Sequence, residues 1–76
     1  MSKLPVLSGN DLCALLSRIG YHLDHQTGGH IILRCENYPF RRLTIPNHKE
    51  IAKGTLRNII RDCGLTIDEF NKLVSK

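Results

Sequence analysis

Apolar positions in this chain recur first at helical spacing, then in alternation, then at helical spacing again. Leu12, Leu15, Leu16 and Ile19 share one helical face. Ser8 with Asp11 three residues on has the form of a capping box, and Gly20 is a natural stop, so the spacing predicts a helix over residues 9–19. Next come two short runs, 21–26 and 30–35, around the loop Thr27-Gly28-Gly29. They read as a β-hairpin closed by a three-residue loop. A third strand over 41–45 follows Glu36-Asn37-Tyr38-Pro39-Phe40 and stops at Pro46. Thr55 is then the expected N-cap of a second helix carrying Leu56, Ile59, Ile60 and Cys63, ended by Gly64. Thr66 and Glu69 repeat the capping signature ahead of Ile67, Phe70, Leu73 and Val74, which suggests an extra C-terminal helix. This is an α+β pattern with a three-stranded antiparallel sheet and helices on one face. No repeat, linker or low-complexity stretch interrupts it.

Strand alternation assigns faces. With Gln26 opposite His30, Tyr21, Leu23, His25, Ile31, Leu33 and Cys35 face the core, joined by Leu43 and Ile45. His22, Asp24, Gln26, His30, Ile32 and Arg34 face outward, with Arg42 and Thr44. His25 inward and Ile32 outward break the pattern, and a one-residue slip would reverse every assignment on its strand.

A chain of 76 residues makes one domain, here 1–76, with one modest core. Its net charge of +4, from 11 Lys and Arg against 7 Asp and Glu, favours a polyanionic partner. No apolar run approaches the ~20 residues of a membrane span, and Met1-Ser2-Lys3-Leu4-Pro5 lacks a signal-peptide core, so a cytosolic location without membrane attachment is expected. Cys13, Cys35 and Cys63 are widely spaced and form no C-x-x-C pair; they read as small buried apolar residues rather than as a disulfide or zinc framework.

The chemistry centres on His30, delivered by the glycine pair onto the start of an apolar strand. Histidine exchanges protons near neutral pH, and adjacent glycines let a backbone or a phosphate approach closely. The bland alternative is an incidental turn histidine. His22 and His25, three apart on a strand, point to opposite faces and complete no tetrahedral metal set, so neither metal nor cofactor is expected. His48 is either a solvated loop residue or a second acid/base group. Arg41-Arg42 often merely solubilises an edge strand. Lys53-Gly54-Thr55-Leu56-Arg57 places a lysine beside helix N-terminal amides, an anion-binding arrangement unless it is an ordinary helix start.

Five segments in order, Leu4-Pro5-Val6-Leu7-Ser8-Gly9, Ile19-Gly20-Tyr21, Gln26-Thr27-Gly28-Gly29-His30, Thr44-Ile45-Pro46-Asn47-His48 and Lys53-Gly54-Thr55-Leu56-Arg57, resemble the HicA toxins of bacterial toxin-antitoxin modules. The resemblance runs from Leu4 to about Phe70. It implies a double-stranded-RNA-binding-domain-like α-β-β-β-α fold, cleavage of messenger RNA, and neutralisation by a HicB partner. The family's Gly-Ser-His motif places its catalytic histidine at His30, with Gly29 where serine is usual and Ile31 where a second histidine is common. Metal-free RNA cleavage uses the 2′-hydroxyl as nucleophile and requires proton transfer and charge stabilisation. His30 is the expected proton-transfer residue, with His48 or His22 as candidates for a second. Gly28, Gly29, Arg34, Arg42, Lys53, Thr55 and Arg57 are candidate RNA contacts. Tyr21, Tyr38, Phe40 and Phe70 are the aromatics available for base stacking, too few for strong base specificity. The alternatives are a non-catalytic RNA-binding module and an interaction protein for an acidic partner.

Overall fold

The computed structural model of the protein describes residues 4–75; residues 1–3, part of the N-terminal segment considered above, lie outside them. Helix α1 spans Gly9–Ser17. Its capping box forms as expected: the Asp11 N–H donates to Ser8 Oγ at 3.0 Å, and the Ser8 N–H donates to Asp11 Oδ2 at 3.4 Å. The helix ends two residues before the expected limit. The amides of Arg18, Ile19 and Gly20 bond back only three residues, to Leu15, Leu16 and Ser17, tightening the last turn before Gly20 reverses the chain at φ +99°.

Strands β1 (Tyr21–Gln26), β2 (His30–Cys35) and β3 (Arg42–Pro46) form an antiparallel sheet in the order β1-β2-β3. β3 is shifted by one residue from the expected 41–45. The hairpin register also departs from expectation, at its turn end. Tyr21, His22 and Leu23 pair with Cys35, Arg34 and Leu33 as the alternation requires, but His25 pairs with Ile32 and Gln26 with Ile31. The Thr27 N–H donates to the His30 carbonyl at 2.9 Å, so Thr27 stands opposite His30 and only Gly28 and Gly29 form the loop. Asp24 takes up the difference as a β-bulge. His25 therefore lies outward opposite Ile32, and Gln26 moves to the core face opposite Ile31.

After β3, buried Ile51 donates its N–H to the Leu7 carbonyl, and helix α2 (Lys53–Asp62) starts at once. Thr55 is consequently not the N-cap. Ala52 holds that position without a side-chain cap, its carbonyl accepting the Leu56 N–H at 2.9 Å, and Thr55 sits inside the first turn. Gly64, at φ +80°, ends α2 in a Schellman arrangement, with Leu65 N–H donating to Ile60 and Gly64 N–H to Arg61. Helix α3 (Ile67–Val74) follows its capping box, in which Thr66 N–H donates to Glu69 Oε1 at 2.8 Å.

The core joins Leu12 and Leu16 of α1, Ile31, Leu33, Leu43 and Ile45 of the sheet, Leu56, Ile59 and Ile60 of α2, and Phe70 of α3. The buried side chains of Tyr21, Ile31, Leu33, Leu43 and Ile45 point to the helical side; the opposite face is open over most of its length, with Pro46, the partner of His30, buried at its turn end. Two core expectations need correction. Leu23 faces the helices but is 62% exposed, because β1 is an edge strand and Cys13, Ala14 and Ser17 of α1 leave an open groove beside it. The three cysteines are half-buried and free, packed at the margin of the core.

Candidate active site

The hairpin turn positions His30. Neither Gly28 nor Gly29 has a left-handed φ, and a Cβ on either would meet nothing within 4 Å. Their backbone conformation does not demand glycine; what they provide is open space beside an exposed histidine. Asn47 fastens the turn to the end of β3, its N–H donating to the Gly29 carbonyl at 3.0 Å.

From His30 the uncovered face runs along the sheet through Ile32 and Arg34 on β2. Thr44 lies opposite Ile32, and Arg42 opposite Arg34. Like charges directly opposite each other repel, and Asp24 moderates this pair. Its carboxyl is held below the usual carboxylate range, first by a hydrogen bond with His25 Nδ1 at 2.8 Å and then by Arg34 and Arg42. The exposed face is thus a mixed field of imidazole, guanidinium and one carboxylate, with positive charge in excess.

The structure separates some expected partners. Arg34 is four residues from His30, about 13 Å along the strand, so the arginine pair and His30 do not converge on one point. His22, opposite Arg34, is equally remote, and its Nε2 lies 3.0 Å from Glu36 Oε1. The His48 side chain is exposed in the loop after β3 and is not separated in this way: it follows Asn47, which is bonded to the His30 turn, while its own carbonyl accepts the Gly9 N–H at 2.9 Å at the start of α1. Lys53, Thr55 and Arg57 are exposed on α2, in the helical layer; Thr55 and Arg57 line an open cleft between α2 and α3 with Arg61 and Thr66. Among the aromatics, Tyr21 and Phe70 are buried in the core and unable to stack on bases. Tyr38 and Phe40 are exposed, edge to face with ring centres 6.0 Å apart.

His25, expected on the core face, lies on the same face as His30. The signal lay in the Gly-Gly dipeptide, a favoured two-residue hairpin loop; that loop places Thr27 opposite His30 and carries His25 onto the same face.

The fold and this face define a small basic α+β protein that presents a histidine-bearing sheet surface to solvent. Residues 9–65 match the family model described as the HicA toxin of bacterial toxin-antitoxin systems, and the chain belongs to that family. It is accordingly a toxin component, whose role implies an antitoxin partner. No curated protein matches the chain significantly. Among the described residues, no helix is long and apolar enough to cross a membrane.

Proposed function

We infer that this toxin is a metal-independent endoribonuclease that cleaves messenger RNA in the cytoplasm and is neutralised by a HicB-type antitoxin. The observation that carries the reading is an exposed His30 at an open glycine turn, at one end of an uncovered sheet face that bears Arg34 and Arg42. RNA supplies its own nucleophile, the 2′-hydroxyl. The protein has to move protons and hold the phosphate in line. His30 transfers a proton at the scissile phosphate. The amides of Gly28 and Gly29 make no hydrogen bond among the described residues and are donors beside it. Arg34 and Arg42 grip a neighbouring phosphate and set the register of the strand. Lys53, Thr55 and Arg57 at the start of α2 form a separate phosphate contact. An acidic antitoxin that covers the sheet face inhibits by excluding RNA.

The test uses purified protein and a short RNA beside its all-deoxy analogue. The wild type cleaves the RNA only, with or without a chelator, and His30→Ala lowers cleavage at least about a hundredfold while RNA affinity is kept. RNA binding without cleavage by the wild type would identify a non-catalytic binding module. Absence of both activities, with antitoxin binding retained, would identify an interaction protein.

A further inference from the structure

We propose that His25, held by Asp24, is the second proton-transfer group of this site and acts as its general base; the assignment rests on the endoribonuclease reading above. Cleavage by a 2′-hydroxyl needs one group to take a proton from the 2′-oxygen and another to give one to the departing 5′-oxygen. His30 supplies one of the two. His22 is about 13 Å away along the sheet and engaged with Glu36. His48 lies beyond the end of β3, in a loop tied by Asn47 to Gly29 and by its own carbonyl to Gly9, and no strand pairing sets its side chain on the open face. His25 shares the open face with His30. Thr27 is opposite His30 and His25 is two residues earlier on β1, so the two histidines are diagonal neighbours, about 7–8 Å apart at their backbone positions. That spacing leaves room for a phosphate between two imidazoles.

The bulge produces this arrangement. With the regular register of Tyr21–Leu23 continued, His25 would face the core; the extra residue, Asp24, turns it outward and places its own carboxylate 2.8 Å from His25 Nδ1. A carboxylate there keeps the proton of the neutral ring on Nδ1, leaves the Nε2 lone pair free, and stabilises the imidazolium that forms when Nε2 takes a proton. Asp24 is thus a positioning residue. Among the described residues, the charged and titratable groups sharing this face with His25 are His22 and Asp24 on β1, His30 and Arg34 on β2, and Arg42 on β3.

In the reaction, His25 Nε2 removes the 2′-hydroxyl proton, the 2′-oxygen bonds to phosphorus, and the bond from phosphorus to the 5′-oxygen breaks. Protonated His30 delivers its proton to that oxygen. The products are a 2′,3′-cyclic phosphate and a free 5′-hydroxyl. The two histidines finish with exchanged protonation states and reset by proton exchange with water.

An exposed ion pair of this kind adds little to stability, so substitutions at it leave the fold intact and report on chemistry. His25→Gln is expected to lower kcat by about 10²- to 10⁴-fold, with KM and thermal melt unchanged, and to remove the acidic limb of the pH–rate profile. Asp24→Asn lowers kcat by a smaller factor, with KM and thermal melt unchanged. An RNA with sulfur in place of the scissile 5′-oxygen, a leaving group that needs no protonation, restores turnover to His30→Ala and not to His25→Gln. A wild type inert toward RNA overturns the ribonuclease reading and the base assignment with it. Cleavage by His25→Gln at the wild-type rate and pH profile overturns the assignment alone, as does a reversed pattern of sulfur rescue.

Discussion

Gly29 is the residue at which this chain departs most pointedly from the motif it otherwise follows. Space beside it is open and its φ is not left-handed, so a serine fits without strain. Losing the conformational freedom of a glycine in the unfolded chain stabilises by about 0.4–1 kcal/mol where the new residue is compatible. A serine hydroxyl beside His30 also adds a donor to a charged phosphate oxygen, a hydrogen bond of about 1.5 kcal/mol, or about tenfold in rate. Gly29→Ser is therefore expected to melt no lower than the wild type and to cleave RNA about tenfold faster by kcat/KM. Gly29→Ala serves as the steric control, and equal rates for the two variants would deny the hydroxyl a role.

Elements meet at a second titrating pair, away from the sheet's open face. Tyr21 begins β1 and Cys63 caps the C-terminus of α2, and their side chains lie close enough to influence each other's ionisation. Burial pushes the Cys63 thiol up to about 11 and the Tyr21 phenol up to about 12. In the unfolded chain the thiol ionises near 9.0 and the phenol near 10.0, so the unfolded state releases both protons first. Their contribution to stability is complete below about pH 9 and is lost as pH rises through the folded values. Thermal melts are expected to hold steady from pH 7 to 8.5 and to fall above 9; Cys63→Ala should reduce the fall between pH 9 and 10. Identical alkaline slopes in both proteins would remove the thiol from the account.

On the scale of the whole molecule, α1 and α2 pack on one side of the sheet and α3 packs on α2, which leaves most of the other side open. α3 lies beyond the 9–65 family match, yet Phe70 is fully buried in the shared core. Truncation of a buried phenylalanine to alanine costs about 3–5 kcal/mol, a large share of what a domain of this size has. Phe70→Ala should show a urea midpoint lowered accordingly, with much of the chain unfolded at 37 °C. A midpoint within experimental error of the wild type would make α3 an accessory rather than part of the fold.

The sequence by itself determined the order of elements, both side-chain capping boxes, the glycine stops at Gly20 and Gly64, and His30 on the outward face, because caps, stops and alternation are set by residues within a few positions of one another. Where α2 begins, that Leu23 stays exposed, and that Tyr21 and Phe70 are withdrawn from any base were decided by tertiary packing. So was the place of His25. Strand alternation along Tyr21–Leu23 and the Gly-Gly turn each specify a register, and the two differ by one residue. Only the assembled hairpin reconciles them, by bulging at Asp24, and that single inserted residue sets two histidines on the same face.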